Sequence, residues 1–510
     1  MKNYNVTFLI SLALFSSISH LWSQSGNSSL SEFGIFENQA NIGDPVTDGM
    51  VAYDTKNQTY TISGSGTNLW GEQDEFQYLY KSIQGDFILR AQVEFLNKTG
   101  DPHRKIGWSI RDNLSGNAKH VSAVVHADGL ASLQYRKEAG SVTGEVKSTD
   151  SLPNVIQLER RGDTYYMSTA KWGEAFTTVE IGKIGLRNEV FVGLFVCAHD
   201  ENAMAKAIFN NVRIIKPMPP SKVAYQYYLG SNMETMNVET GQRKILFQSA
   251  HSLQAPNWVN ADRELVYNSN GFLYRYNFET NTVHQINTGF ATNNNNDHVF
   301  SFDENLIGIS NHNPKDNEDS SIYLMNSKGD SLPRKITKDG VGNSYLHSIS
   351  PDKNTLLFTG WRNEKYDIYA IDVKSQKETQ LTDTKGLDDG SEYAPDGKHI
   401  YFNSNRTGAM QLWRMNSDGS SPEQLTFDKN YNDWFPHISP DGKWIAFLSF
   451  SKDVPSGDHP FYKHCTLRLM PISGGTPNII AYIYGGQGTI NVPSWSSDSK
   501  HIAFVTNSDY

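Results

Sequence analysis

Histidines at 347, 437 and 459, arginines at 362 and 406, and acidic residues at 392 and 433 all fall in the second half of this 510-residue chain. Asn405, Trp434, Tyr462, Gln487 and Asn491 accompany them. Such a mixture suits an anionic sugar: guanidinium groups face a carboxylate, and an aromatic ring stacks on a pyranose face. One reaction that uses every type is β-elimination from a uronate. Charge builds on the substrate carboxylate and must be neutralised by a cation. A base must take the C5 proton, and a donor must assist the group leaving C4. On this reading His437 or His459 is the base, Arg406 and Arg362 form the clamp, and Tyr462 is the donor. Glu392 is a further catalytic candidate, and Arg362, His347, Asn405, Asp433, Trp434 and Asn491 hold the substrate. A departing sugar makes the reaction a lyase; departing water makes it a dehydratase.

Each residue also has a plainer role. His347 and His437 can hydrogen-bond a neighbouring structural unit, and Arg362 and Arg406 can be spent on ion pairs, with Glu392 a partner for Arg406. Trp434 and Phe435 can be core, and Asp433 can cap an Asx turn. Two other functions stay open. One is a glycosidase using Glu392 and Asp433 as a carboxylate pair; the other is a binding or scaffolding module without catalysis.

The elements that must position these residues are visible as an internal repeat. HSISPDKNTLLFTGWRNEKYDIYAIDVKSQKETQLT (347–382), SEYAPDGKHIYFNSNRTGAMQLWRMNSDGSSPEQLT (391–426) and PHISPDGKWIAFLSF (436–450) align, with degenerate copies from 257 and near 298. A spacing of roughly 40–50 residues suits a four-stranded propeller blade. The last copy, PSWSSDSKHIAFVTN (493–507), stops after two strands, and residues 222–248 offer two more. Five full blades and one shared blade predict a six-bladed ring with no open sheet edge. Strand alternation places the Pro-Asp-Gly and Asp-Gly turns on one face. The other face then gathers Tyr345, His347, Trp361 to Lys365, Asp388, Asp389, Glu392, Asn403 to Arg406, Asn432 to His437, the long loop 452–462, and Gln487 to Asn491. That face is the predicted site.

The first half reads differently. Residues 30–215 alternate apolar and polar in short runs, clearest at Asp86 to Phe95, and predict a sandwich of two packed sheets. Lys216-Pro217-Met218-Pro219-Pro220 makes a stiff linker over 216–221, and the propeller takes 222–510. Lys2, the apolar run Phe8 to Phe15 and small residues up to Ser23 predict a signal peptide over 1–23. No Cys follows to carry a lipid and no run is long enough to span a bilayer, so the expected location is periplasmic or secreted. A net charge of −10 excludes a nucleic-acid partner that relies on a broadly basic face. Cys197 and Cys465, the only cysteines, are expected as two buried thiols, with a bridge between domains as the alternative.

The Ser-Pro-Asp-Gly-Lys turn followed by a hydrophobic strand at 439–447 resembles those of TolB-like six-bladed propellers, over roughly 220–510. The spacing of strands and the stretch Gly107-Trp108 to Arg111-Asp112 resemble concanavalin-like and laminin-G-like jelly rolls. The propeller is also similar to oligogalacturonate lyases, whose His and Gln residues hold a divalent ion at the same mouth. That resemblance implies His437, His459 and Gln487 as ligands of Mn or Ca, and an acidic oligosaccharide as substrate.

Overall fold

The computed structural model describes residues 32–314 and 318–509; the predicted signal peptide lies outside the described residues. The chain is all-β, and no described residue belongs to a helix long and apolar enough to cross a membrane.

The amino-terminal half forms two antiparallel seven-stranded sheets. One runs in the order Asn38–Ile42, Phe76–Gln84, Glu189–Cys197, Lys105–Arg111, His120–His126, Leu130–Arg136, Gly144–Ser151. The other runs Thr177–Gly182, Thr164–Ala170, Val155–Arg161, Phe87–Phe95, Asp200–Ile215, Thr59–Gly66, Met50–Asp54. Phe87, Leu89, Ala91 and Val93 enter the core between the sheets with Trp108, Ile110 and Leu194, as period-2 alternation requires. Ile88 and Arg90, on the opposite side of the same strand, are buried as well. That side does not face water because it packs on the second half of the molecule.

The second half is a six-bladed propeller. Five blades are four-stranded sheets, over 254–285, 294–335, 344–380, 388–424 and 431–485. The sixth is closed by strands from both ends: Gly230–Asn237 pairs antiparallel with His501–Ser508 on one side and with Arg243–Ser249 on the other. A bridge from Trp495 to Ile502 begins its innermost strand.

The recurring turn has a local cause. Ser439 Oγ donates to Asp441 Oδ1 at 2.6 Å, Asp441 Oδ1 accepts the Lys443 amide, and Ser439 Oγ accepts the Trp444 amide. Ser301–Asp303, Ser350–Asp352 and Ser496–Asp498 repeat the same 2.6 Å contact in other blades. A hydroxyl followed two residues later by a carboxylate satisfies the turn's amides without outside help.

The two halves share a polar seam. Glu234, on the first strand of the closing blade, accepts from Arg213 of the sandwich at 2.7 Å, from Arg243 at 2.9 Å and from Thr506 Oγ1 at 2.6 Å. Arg90 donates to the Tyr482 carbonyl at 2.5 Å and to Gln157, and Asn211 donates to the Gly241 carbonyl. The segment after the sandwich is pinned too, with the Lys216 amide on Ser508 Oγ and the Met218 amide on Tyr484 Oη. Cys197 and Cys465 are both free and buried. Burial pushes their thiols up, to about 11 and about 12, which leaves neither as a nucleophile at neutral pH.

Burial would raise the Glu234 carboxyl, but the fields of Arg213 and Arg243 overcome it and hold it at about 2. Its carboxylate therefore contributes stability that is complete above the ordinary carboxyl value and is lost as pH falls from about 4.5 toward 2. Glu234→Gln keeps the shape and leaves two buried guanidinium groups without a counter-ion. The expected cost is about 3–5 kcal/mol in guanidinium unfolding at pH 7, shrinking below pH 4. An unchanged midpoint at pH 7 would show that the seam does not depend on this charge.

Candidate functional site

The innermost strands line the central channel, and in each of the five four-stranded blades that strand is interrupted by a register shift. The shifts fall between Gln254 and Asn257, Asn294 and His298, Leu346 and Ser348, Asp389 and Glu392, and Trp434 and His437. A bulge turns the following side chains relative to the blade and is a common device for aiming functional groups. Gly390 has φ +64, and a Cβ there would lie 2.4 Å from Asn403 Oδ1. Phe435 adopts φ +56 without being glycine, a strained conformation of the kind that collects at functional sites. Its amide is held by Asn403 Oδ1 at 3.0 Å.

Three consecutive inner strands then bring Asp297, His347 and Asp389 together. His347 Nε2 lies 3.0 Å from Asp389 Oδ1. The same carboxylate accepts from Thr359 Oγ1 at 2.6 Å and from the Gly390 amide at 2.8 Å. Asp297, His347 and Asp389 are 6, 6 and 8% exposed, so their charges are scarcely hydrated. Phe435 places its ring 6.2 Å from His347 and 5.5 Å from His459. His459 also packs edge-on against Trp434 at 4.6 Å, and its Nδ1 is buried without a hydrogen-bond partner.

The electrostatics separate these groups. Burial would push His347 down, but the Asp389 carboxylate, helped by Asp297, outweighs it and raises the imidazole above its ordinary value. Burial would raise Asp389, yet hydrogen bonding and charge from His347, with His459 and Thr359 adding, hold it well below the carboxylate range. Asp297 has no such rescue: burial, reinforced by Asp389 and only partly opposed by His347, pushes it up to about 7. A carboxyl that keeps its proton up to about pH 7, an ionised carboxylate and an imidazole raised above its ordinary value thus sit side by side, the division of roles that general acid–base catalysis uses. Tyr345, half-buried, feels both Asp297 and Asp389, and burial raises its phenol strongly.

Several predicted site residues are placed elsewhere. His437 Nε2 donates to the Ile490 carbonyl at 2.7 Å, and Nδ1 faces Glu392 Oε2 at 2.7 Å. Both ring nitrogens are engaged, which corrects the expectation of a base or metal ligand: His437 clamps one blade to the next. Glu392 also accepts the Ile438 amide, and Asp433 is sealed inside its blade against Ser449 and Arg468, so the two do not form a glycosidase pair. Arg406 pairs with Asp388 at 2.8 Å and stacks on Trp413. Arg362 pairs with Glu378 at 3.0 Å. Neither guanidinium is free to clamp a carboxylate. Tyr462 turns toward the seam, where its Oη accepts the Leu229 amide and its ring joins Ile88 and Ile215. Trp434 is core. Asn405 receives the Leu387 amide, and Asn491 braces a loop through the Gly488 amide and Gln487 Oε1. The set His437, His459 and Gln487 therefore does not fit a divalent ion. Among the described residues, the three-residue His, Cys, Asp or Glu group close enough for one lies on the sandwich.

The sequence hides Asp297 at the end of the polar run Asn293 to Asn296, where the repeat is degenerate. Alignment of its strand with 344–349 and 388–393 was the available signal.

Because the folded protein holds a proton on Asp297 that the unfolded chain releases, stability falls as pH rises from about 4 to about 7. Asp297→Asn should remove that fall and gain roughly 2–4 kcal/mol at pH 8 relative to pH 5. Identical pH dependence in variant and wild type would contradict the assignment.

Comparison with known proteins agrees with the architecture. Residues 316–458 match the family model described as PD40, TolB beta propeller domain. The "Uncharacterized protein Atu1656" of Agrobacterium fabrum is 42% identical over 276 residues, 54% of this chain and 92% of that one. The solved structure of a putative TolB from Agrobacterium tumefaciens is 40% identical with a TM-score of 0.52, covering 56% of this chain and 100% of that one. An oligogalacturonate lyase from Vibrio parahaemolyticus aligns at 14% identity and a TM-score of 0.35, covering 53% of this chain and 76% of that one, too loose a likeness to bear on activity. The chain belongs to the TolB-like β-propeller family.

Proposed function

We propose that the propeller acts on an acidic oligosaccharide at the channel mouth by β-elimination, with roles redistributed from the residues that sequence alone suggested. The reading rests on the buried His347–Asp389 pair with a second carboxyl, Asp297, beside it. Ionisable groups kept this dry and this close are costly for folding and concentrate where chemistry is done. In this scheme the His347 imidazolium, held by Asp389, faces the uronate carboxylate in place of an arginine. His459, whose Nδ1 has no partner, takes the C5 proton. The electron pair forms the C4–C5 double bond as the C4–O bond breaks, and neutral Asp297 gives its proton to the departing oxygen. Water returns both groups to their starting states. Phe435 supplies the apolar wall. Export to the periplasm or beyond belongs to the same proposal and rests on Lys2 and the apolar run after it.

A second reading, a binding or scaffolding propeller without catalysis, is favoured by one observation. Arg362 and Arg406 are already neutralised by Glu378 and Asp388. A fold of this kind hosts binding proteins as readily as enzymes.

Incubation with pectic, alginate and ulvan-type oligosaccharides separates the two. Elimination creates an unsaturated uronate absorbing in the near ultraviolet, and a scaffold creates none. His347→Ala and His459→Ala should each lower the rate about 100-fold or more with folding intact. The rate should also decline as pH rises through about 7, because the working forms of Asp297 and His347 are the protonated ones. Absorbance that grows equally fast in both variants, or never grows, contradicts the elimination scheme.

A further inference from the structure

We infer that the sandwich carries a metal site built from His103, His126 and Asp128, with His199 at its edge, for a borderline divalent cation of the Zn²⁺ type. One ring nitrogen of His103, one of His126 and a carboxylate oxygen of Asp128 all lie within 4.8 Å of one another. His103 Nδ1 is 3.4 Å from Asp128 Oδ2. The His103 ring meets His126 edge-on at 6.0 Å and His199 at 5.7 Å. Two imidazoles and a carboxylate are the donor set that zinc takes when three protein ligands leave a fourth position open.

The arrangement is held from outside the ligands. The loop bearing His103 is bound to the turn bearing Asp128 by two backbone hydrogen bonds, Ala127 amide to Arg104 carbonyl and Asp128 amide to Pro102 carbonyl. Asp101 Oδ1 accepts the His103 amide at 2.7 Å. Asp128 Oδ1 is occupied by the Leu130 amide, which leaves Oδ2 as the free donor. His126 ends a fully buried strand and is 6% exposed, and His199 follows the strand Glu189–Cys197 with φ +58.

A second, independent observation points to a ligand. His126 Nδ1 and His199 Nδ1 are both buried without a hydrogen-bond partner, as is Oε1 of Gln134, whose amide nitrogen lies 3.5 Å from His126 Nε2. Buried polar atoms are nearly always paired, so three orphans around one cluster call for an occupant. A cation with its bound water would satisfy them. The opposing charge is Lys105, which is tied to Asn68 Oδ1 and the Leu69 carbonyl. Asp101 and Asp128 offset it.

The site is tested on the full chain, tag removed and freed of metal by chelator. Zn²⁺ is titrated by calorimetry and Co²⁺ by its visible spectrum. Wild type should bind one Zn²⁺ per chain at micromolar or tighter affinity, and Co²⁺ should give the intense absorption of a four-coordinate site. His103→Ala and Asp128→Asn change exposed positions and should fold normally. Each should weaken binding by at least about tenfold and flatten the Co²⁺ band. Absence of binding in wild type at millimolar Zn²⁺ overturns the site, and so does undiminished binding in both variants.

Discussion

Glu234 is the residue on which the remaining geometry hangs. It lies on the strand that closes the ring from the amino-terminal side and receives a hydroxyl from Thr506 on the strand that closes it from the other end. It also receives Arg213 from the last strand of the sandwich. One buried carboxylate therefore joins ring closure to domain docking. Charges this dry attract strongly, yet they are taken out of water at great expense, so the pairing must be complete to be worth having. Arg243 completes it. The bond between the halves is thus electrostatic and directional, and it fixes the sandwich in one orientation on the closing blade.

Closure in turn shapes the channel. Once the ends are joined, the segment 486–496 is held across the ring, where the Ile490 carbonyl takes His437 and the Trp495 indole donates to the His437 carbonyl. At the bulges the backbone is held by side chains, the Gly390 amide by Asp389 and the Phe435 amide by Asn403. Phe435 holds its positive φ with its amide on Asn403 and the buried Trp434 beside it. The acid–base cluster is a consequence of that confinement: three ionisable side chains from three blades share a volume too small to hydrate them all.

Much of this was legible from the residues. The Ser–x–Asp hydrogen bonds at 301, 350, 439 and 496 are local, so the turns announce themselves in sequence, and the truncated last repeat announces how the ring closes. Strand counting alone puts His347, Asp389 and His459 on one face, and the structure sets His347 against Asp389 and both imidazoles against Phe435. What strand counting does not supply is rotation at a bulge, which separates Asp389 from Glu392 and Phe435 from Trp434 over one to three residues. Nor does it name partners: Arg406 and Arg362 look like a clamp until Asp388 and Glu378 are found beside them. Tyr462 lies in the seam with Ile88 and Ile215, and contacts there depend on docking, which no repeat encodes.

In the channel, a carboxyl that keeps its proton up to about pH 7 stands next to an ionised carboxylate–imidazole pair. Carbon-13 NMR of aspartate-labelled protein, with Asp297→Asn supplying the assignment by difference, follows that carboxyl directly through pH. The Asp297 side-chain carbon should titrate with a midpoint near 7, well above the ordinary aspartate value. A midpoint near 4 would mean that Asp297 is ionised at neutral pH, and the acid assigned to the site would not exist.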